Sequence, residues 1–128
     1  MALLRQLWPG KPLDLASLRS TYERSLASER QIYLCAVCDE QVVGFGSLTI
    51  KSNLWSEAFV GYVDEMVTDG AHQGRGIGTQ ILDRLISWAR ERGCNRIELD
   101  SAFHRKDAHA FYERRGFQSR AYLYSKLL

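Results

Sequence analysis

The chain has 128 residues, of which 45% are hydrophobic and 25% charged, with a formal net charge of +2; this describes one domain able to bury about two-thirds of its unfolded surface and excludes a wholly disordered chain. Lysine and arginine form no block, which argues against nucleic acid as the main partner, and no apolar run approaches the roughly 18 residues of a membrane span. The start, "MALLRQLWPGKP", lacks a secretory signal's charged opening and cleavage site, and an odd set of three cysteines fits reduced thiols, so a cytoplasmic protein is expected.

"ALLRQLW" predicts one or two helical turns, stopped by Pro9 and Gly10. "DLASLRSTYERSL" places Leu15, Leu18, Tyr22 and Leu26 at helical spacing behind a capping Asp14. "IYLCAV" and "VVGFGSLTI", separated by "CDEQ", read as a hairpin. Cys35 and Cys38 lie three apart on its first strand and so face opposite sides, which argues against a metal or redox pair. "AFVGYVDEMVT" predicts a third strand leading into "AHQGRGIGTQIL". From Gly76 to Arg92, the residues Ile77, Ile81, Leu82, Leu85, Ile86 and Ala89 form one helical stripe, and Gly93 supplies the stop. "NRIELDSA" reads as a strand, "KDAHAFYERR" as a helix ended by Gly116, and "AYLYSKLL" as a last strand. Early hairpins followed by one strand–helix–strand passage predict an α/β sheet of mixed direction.

The glycine-rich stretch carries the chemistry. Gly74, Gly76 and Gly78 alternate just where a helix begins, near Arg75 or Gly76. The first N–H groups of a helix lack internal partners and its dipole favours negative charge there, so a phosphate fits. A P-loop would need Lys and Ser or Thr after its last glycine, and a dinucleotide fingerprint would need a glycine at Thr79 or Ile81. Neither pattern is met. The spacing that is met is Q-x-x-G-x-G, carried by Gln73, Gly74, Arg75, Gly76, Ile77 and Gly78.

That loop resembles the acetyl-CoA loop of the GNAT N-acetyltransferase superfamily, and "DAHAFYERRGF" is similar to a second family signature, A-x-x-F-Y-x-x-x-G-F, through Ala108, Phe111, Tyr112, Gly116 and Phe117. The resemblance covers the chain from about residue 30 onward. It implies a single acetyltransferase domain over residues 1–128, with a mixed, mostly antiparallel sheet, helices on both faces and a central parallel splay that lodges acetyl-CoA. The implied reaction is acetyl transfer from acetyl-CoA to a primary amine of a small molecule, without a metal.

By the same resemblance, amides of Met66, Val67 and Thr68 polarise the thioester carbonyl, and the loop from Gln73 to Gly78 holds the pyrophosphate. Arg105, standing where many members carry an asparagine, together with Ala108 and Phe111, lines the pantetheine arm. Tyr112 matches the tyrosine that protonates the departing sulfur. Several members carry a glutamate eleven residues before the loop's first residue, but that position here is Tyr62. Asp64, on the same strand face as Tyr62, or Glu65, on the other, is then the expected base, directly or through a water. Asp100 and His109 are further candidates.

Trp55, Tyr62 and Asp100 are the expected acceptor contacts. "HRKDAHAFYERRGF" and "YLYSKLL" look similar to aminoalkylphosphonate N-acetyltransferases, whereas "ELDS" and "YSK" look similar to aminoglycoside 6'-N-acetyltransferases. The family usually opens with a strand before its first helix, so either the true start lies upstream or the sheet lacks that strand. In the second case "QIYLCAVC" becomes an apolar edge and a homodimer is expected. A protein lysine or N-terminal acetyltransferase, or a non-catalytic acyl-CoA-binding module, are the alternative readings.

Overall fold

The structure is a computed structural model that describes residues 1–128. The chain divides into two compact units, Met1–Glu98 and Leu99–Leu128.

The first unit opens with α1 (Ala2–Leu7) and α2 (Leu15–Leu26), and Asp14 caps α2 by accepting the N–H groups of Ala16 and Ser17. β1 (Gln31–Cys38), β2 (Gln41–Asn53) and β3 (Ala58–Thr68) follow as antiparallel neighbours. Asp39 and Glu40, both at positive φ, make the tight β1–β2 turn, a form that matches the twist of paired strands. α3 (Ile77–Glu91) then crosses over and β4 (Cys94–Leu99) completes a mixed sheet of order β1-β2-β3-β4. The residues before β1 are helical, so β1 is an edge strand.

α3 seats on the sheet because β2 is cut away beneath it. A Cβ at Gly46 would lie 2.5 Å from Ile81 Cγ2, and one at Gly44 would lie 2.8 Å from Ile81 Cδ1. Of the predicted stripe, Ile81, Leu82, Leu85 and Ala89 are buried, while Ile77 and Ile86 are half-buried. Leu48 and Val63, paired across the β2–β3 ladder, are buried as well, and a Val, Leu or Ile side chain contributes about 1.5–3 kcal/mol when fully buried. The opposite face is covered from the N-terminal side. Tyr33 pairs with Ser47, one residue out of phase with Gly46, and the ring of Tyr22 from α2 meets it edge-on at 4.8 Å.

Two bulges interrupt the ladders. Val43 is an extra residue of β2 against Ala36 and Val37, and Asp64 is an extra residue of β3 against Ser47 and Leu48.

The second unit holds α4 (Lys106–Arg114) and the segment beyond it. The last strand expected at "AYLYSKLL" does not form. Residues 121–128 carry no strand, with Tyr122, Leu123 and Tyr124 exposed by 74%, 66% and 87%. A run of strand-forming residues does not make a strand without a neighbour to take the backbone hydrogen bonds. A second departure concerns α2, whose apolar positions Leu15, Tyr22 and Leu26 are all exposed.

Candidate active site

The loop between β3 and α3 is built as the glycine spacing requires. Gly74 and Gly76 have φ of +79° and +78°, the left-handed region, where a residue with a Cβ is strained. Gly76 is the residue that caps α3, and it has no side chain to cover the helix's first amides. The strand end, the two left-handed glycines and the helix start follow one another within ten residues, and the N-terminus of a helix favours an anion. Arg75 is exposed and, with Ile77 and Gln80, lines a cavity of about 350 Å³ whose other wall is Ala36, Val37, Cys38 and Val43.

The entry to this loop is fastened at several points. The Asp69 N–H donates to the Val43 carbonyl at 2.7 Å, extending the β2–β3 pairing past Thr68. Its carboxylate accepts the Gln6 amide at 2.8 Å and faces His72 Nδ1 at 2.8 Å. Those bonds, with Gln6 the largest contributor and His72 next, hold the Asp69 carboxyl below its ordinary range. Gln73 donates to the Thr68 carbonyl at 3.4 Å.

Upstream on β3, the bulge changes what the strand presents. Strict alternation would send Asp64 and Glu65 to opposite faces, but the extra residue breaks that phase. Both carboxylates reach hydroxyls of β2 that share one face. Ser47 donates to the Glu65 carboxylate and accepts the Glu65 N–H at 3.1 Å, while Thr49 donates to Asp64 and accepts from Gln31 at 3.2 Å. Ser47 is only 2% exposed and Glu65 is half-buried, whereas Asp64 is exposed. Burial raises the Glu65 pKa; the bond from Ser47 opposes this and the Asp64 charge adds to it. Tyr62, opposite Thr49, lies beneath the Lys51 ammonium at 4.8 Å from its ring centre. Phe45 stacks on Tyr33 at 5.8 Å. The face thus combines aromatic rings with two carboxylates.

In the second unit, Tyr112 is buried on α4, its ring edge-on to Phe111 at 5.3 Å and to Phe117 at 5.5 Å. Burial pushes the phenol pKa up, and the charge of Arg105, which caps the helix, partly pulls it back. Phe111 is half-buried with the Arg115 guanidinium 4.4 Å from its ring centre, and Ala108 is half-buried one turn earlier. His109 bonds the Ala102 carbonyl at 2.9 Å.

The structure therefore brings Tyr62, Asp64 and Glu65 onto one face and sets Met66, Val67 and Thr68 between that face and the loop from Gln73 to Gly78. Trp55 is elsewhere: it stands on the β2–β3 turn, at the other end of β3 from the loop, with Arg96 4.6 Å from its ring centre. Asp100 follows β4 and is exposed. Sequence reasoning missed Gln6, Ser47, Thr49 and Asp69. The signal for the hydroxyls was present, since Ser47 and Thr49 are the two polar residues in "VVGFGSLTI" and stand two apart, hence on one face.

A model of the acetyltransferase (GNAT) family matches residues 2–117, and the chain belongs to that family. It is 30% identical over 116 residues to the aminoalkylphosphonate N-acetyltransferase of Salmonella typhimurium, covering 91% of this chain and 75% of the relative. It is 28% identical over 116 residues to the aminoglycoside N(6')-acetyltransferase type 1 of Stenotrophomonas maltophilia, covering 88% and 73%. Among solved structures, a transcriptional regulator from Bacillus halodurans C-125 superposes with a TM-score of 0.88 at 26% identity, covering 99% of this chain and 89% of that one.

Proposed function

We propose that this chain transfers the acetyl group of acetyl-CoA to the primary amine of a small molecule, residues 1–128 acting as one acetyltransferase domain. The observation that carries the reading is the pair of left-handed glycines, Gly74 and Gly76, opening α3 one short turn after a strand that bears two carboxylates. The loop from Gln73 to Gly78, with Arg75 adding charge, binds the diphosphate, and amides of Met66, Val67 and Thr68 polarise the thioester carbonyl. Glu65 is the base. A general base works best with a pKa near the operating pH, and burial moves Glu65 in that direction, whereas Asp64 on the exposed bulge serves to attract the cationic amine. The free amine attacks the carbonyl carbon, the C–S bond breaks, and Tyr112 protonates the leaving thiolate. Arg105, Ala108 and Phe111 line the pantetheine arm.

Tyr62 belongs to the acceptor side through its place beside Asp64. Trp55 and Asp100 are assigned to the acceptor by sequence alone. The relatives that act on aminoalkylphosphonates and aminoglycosides support a small polar amine. A homodimer across the open β1 edge belongs to the same reading, supported by 63% exposure of Val37 and 49% of Val42.

The test is a thiol-release screen with acetyl-CoA against aminophosphonates, aminoglycosides, polyamines, amino acids and basic peptides. Turnover on small amines supports the reading. Turnover on peptides alone makes the chain a protein acetyltransferase, and tight CoA binding with no amine-dependent release makes it a binding module.

A further inference from the structure

Gln6 is an exposed residue on a helix of six residues, too short to be stable alone. α1 is anchored by its next residue, Leu7, which is buried. Gln6 uses that anchor to grip two residues, 63 and 64 positions away. Its Nε2 donates to Asp69 Oδ1 at 2.8 Å, and its Oε1 accepts the Gly70 N–H at 2.9 Å. One amide thus satisfies a side chain and a backbone donor on consecutive residues, a two-point contact that fixes orientation as well as position.

The gripped residues are the start of the glycine loop. Asp69 also binds His72; an ionised carboxylate only accepts, so Nδ1 of His72 carries the proton of that 2.8 Å bond. His72 N–H donates to the Asp69 carbonyl at 2.8 Å, closing the short turn Gly70–His72. Beyond it, Gly74 and Gly76 have nothing within 4 Å of a built Cβ. The loop is therefore tied at its entry and open at its glycines, so the entry limits how many conformations the donors sample before an anion arrives. Ordering a loop on binding costs affinity, and holding it beforehand recovers that cost.

We propose that Gln6 is a positioning residue for donor binding: through Asp69 and Gly70 it pre-sets the glycine loop for the diphosphate of acetyl-CoA. The proposal rests on the reading that this loop binds acetyl-CoA. Because the clasp acts at the diphosphate end, its loss weakens CoA and acetyl-CoA equally and leaves alone a thioester that lacks the diphosphate.

The experiment compares wild type with Gln6→Met, which keeps the length of the side chain and removes both bonding groups. CoA affinity is measured by calorimetry, amide hydrogen exchange over residues 69–78 without ligand, and kcat/KM with acetyl-CoA and with S-acetylpantetheine. The expected result is a CoA Kd weaker by ~10-fold, about 1.4 kcal/mol, faster exchange in the loop, and unchanged kcat/KM for S-acetylpantetheine. An unaltered Kd overturns the proposal, as does an equal loss with S-acetylpantetheine, which means general loosening. Wild-type protein that does not bind CoA overturns the donor reading and the clasp with it. Gln6→Glu, which keeps the acceptor for Gly70 but sets a charge against Asp69, should be no better than Gln6→Met; wild-type affinity in that variant also counts against the clasp.

Discussion

Glu65 and Ser47 exchange two hydrogen bonds across the β2–β3 ladder, and with Glu65 as the proposed base this pair should set the acid side of the pH profile. Ser47→Ala removes the bond that stabilises the carboxylate and leaves burial unopposed, so the acidic limb of kcat/KM should move to higher pH. Glu65→Gln should abolish that limb and lower turnover by ~10²-fold or more. The stability effect has the opposite sign. A carboxyl whose pKa is raised by folding contributes stability fully below its unfolded pKa and loses it as pH rises through the folded value. Glu65→Gln should therefore melt higher than wild type near neutral pH, with the gap closing in acid. Tyr112→Phe keeps the ring packing against Phe111 and Phe117 and should lower turnover by ~10²–10⁴-fold; unchanged turnover when chemistry limits the rate removes the phenol from the mechanism. Arg105→Met takes away the charge that lowers the phenol's pKa, so the alkaline limb should move up. At this scale the sequence brought Tyr112 forward as a candidate from the second signature, and Asp64 and Glu65 as the carboxylates nearest Tyr62, the position the family offset points to. It did not disclose Ser47 or Gln6, whose roles depend on residues 18 and 63 positions away.

Elements were legible where the pattern needed only local physics. The α3 stripe, the Asp14 cap, the β1–β2 turn and the bounds of β3 all follow from periodicity and turn chemistry. What failed was whatever required a partner. Residues 121–128 are rich in strand formers but form no strand, and Leu15, Tyr22 and Leu26 of α2 are exposed. The Asp64 bulge reversed the expected strand phase, and nothing in "GYVDEMV" marks it. The fit of α3 on β2 gives a clean test at this scale. Gly44→Ala and Gly46→Ala should each cost about 1–3 kcal/mol from overpacking. Ile81→Val deletes Cδ1, the nearest atom to Gly44, but keeps Cγ2, the nearest to Gly46. A denaturant double-mutant cycle should show Ile81→Val partly rescuing Gly44→Ala and not Gly46→Ala.

For the molecule as a whole, the family was legible because its two signatures are short and contiguous, and the match over residues 2–117 bears that out. The acceptor was not legible because no spacing rule ties the candidate contacts Trp55, Tyr62 and Asp100 to one another in the sequence. Binding of CoA to the folded chain alone predicts a rise in melting temperature: at a concentration of 100 times Kd the gain is about 2.7 kcal/mol, or roughly 10 °C for a chain of this size. A melt unmoved by CoA argues against the donor reading. Gly74 and Gly76 carry one more consequence. An ordinary alanine side chain would have ample room at either site, so bulk is not what keeps other residues out; chirality is. A D-alanine installed there by chemical ligation favours this very quadrant of torsion space, and would stiffen the loop where its mirror image would bend it out of shape.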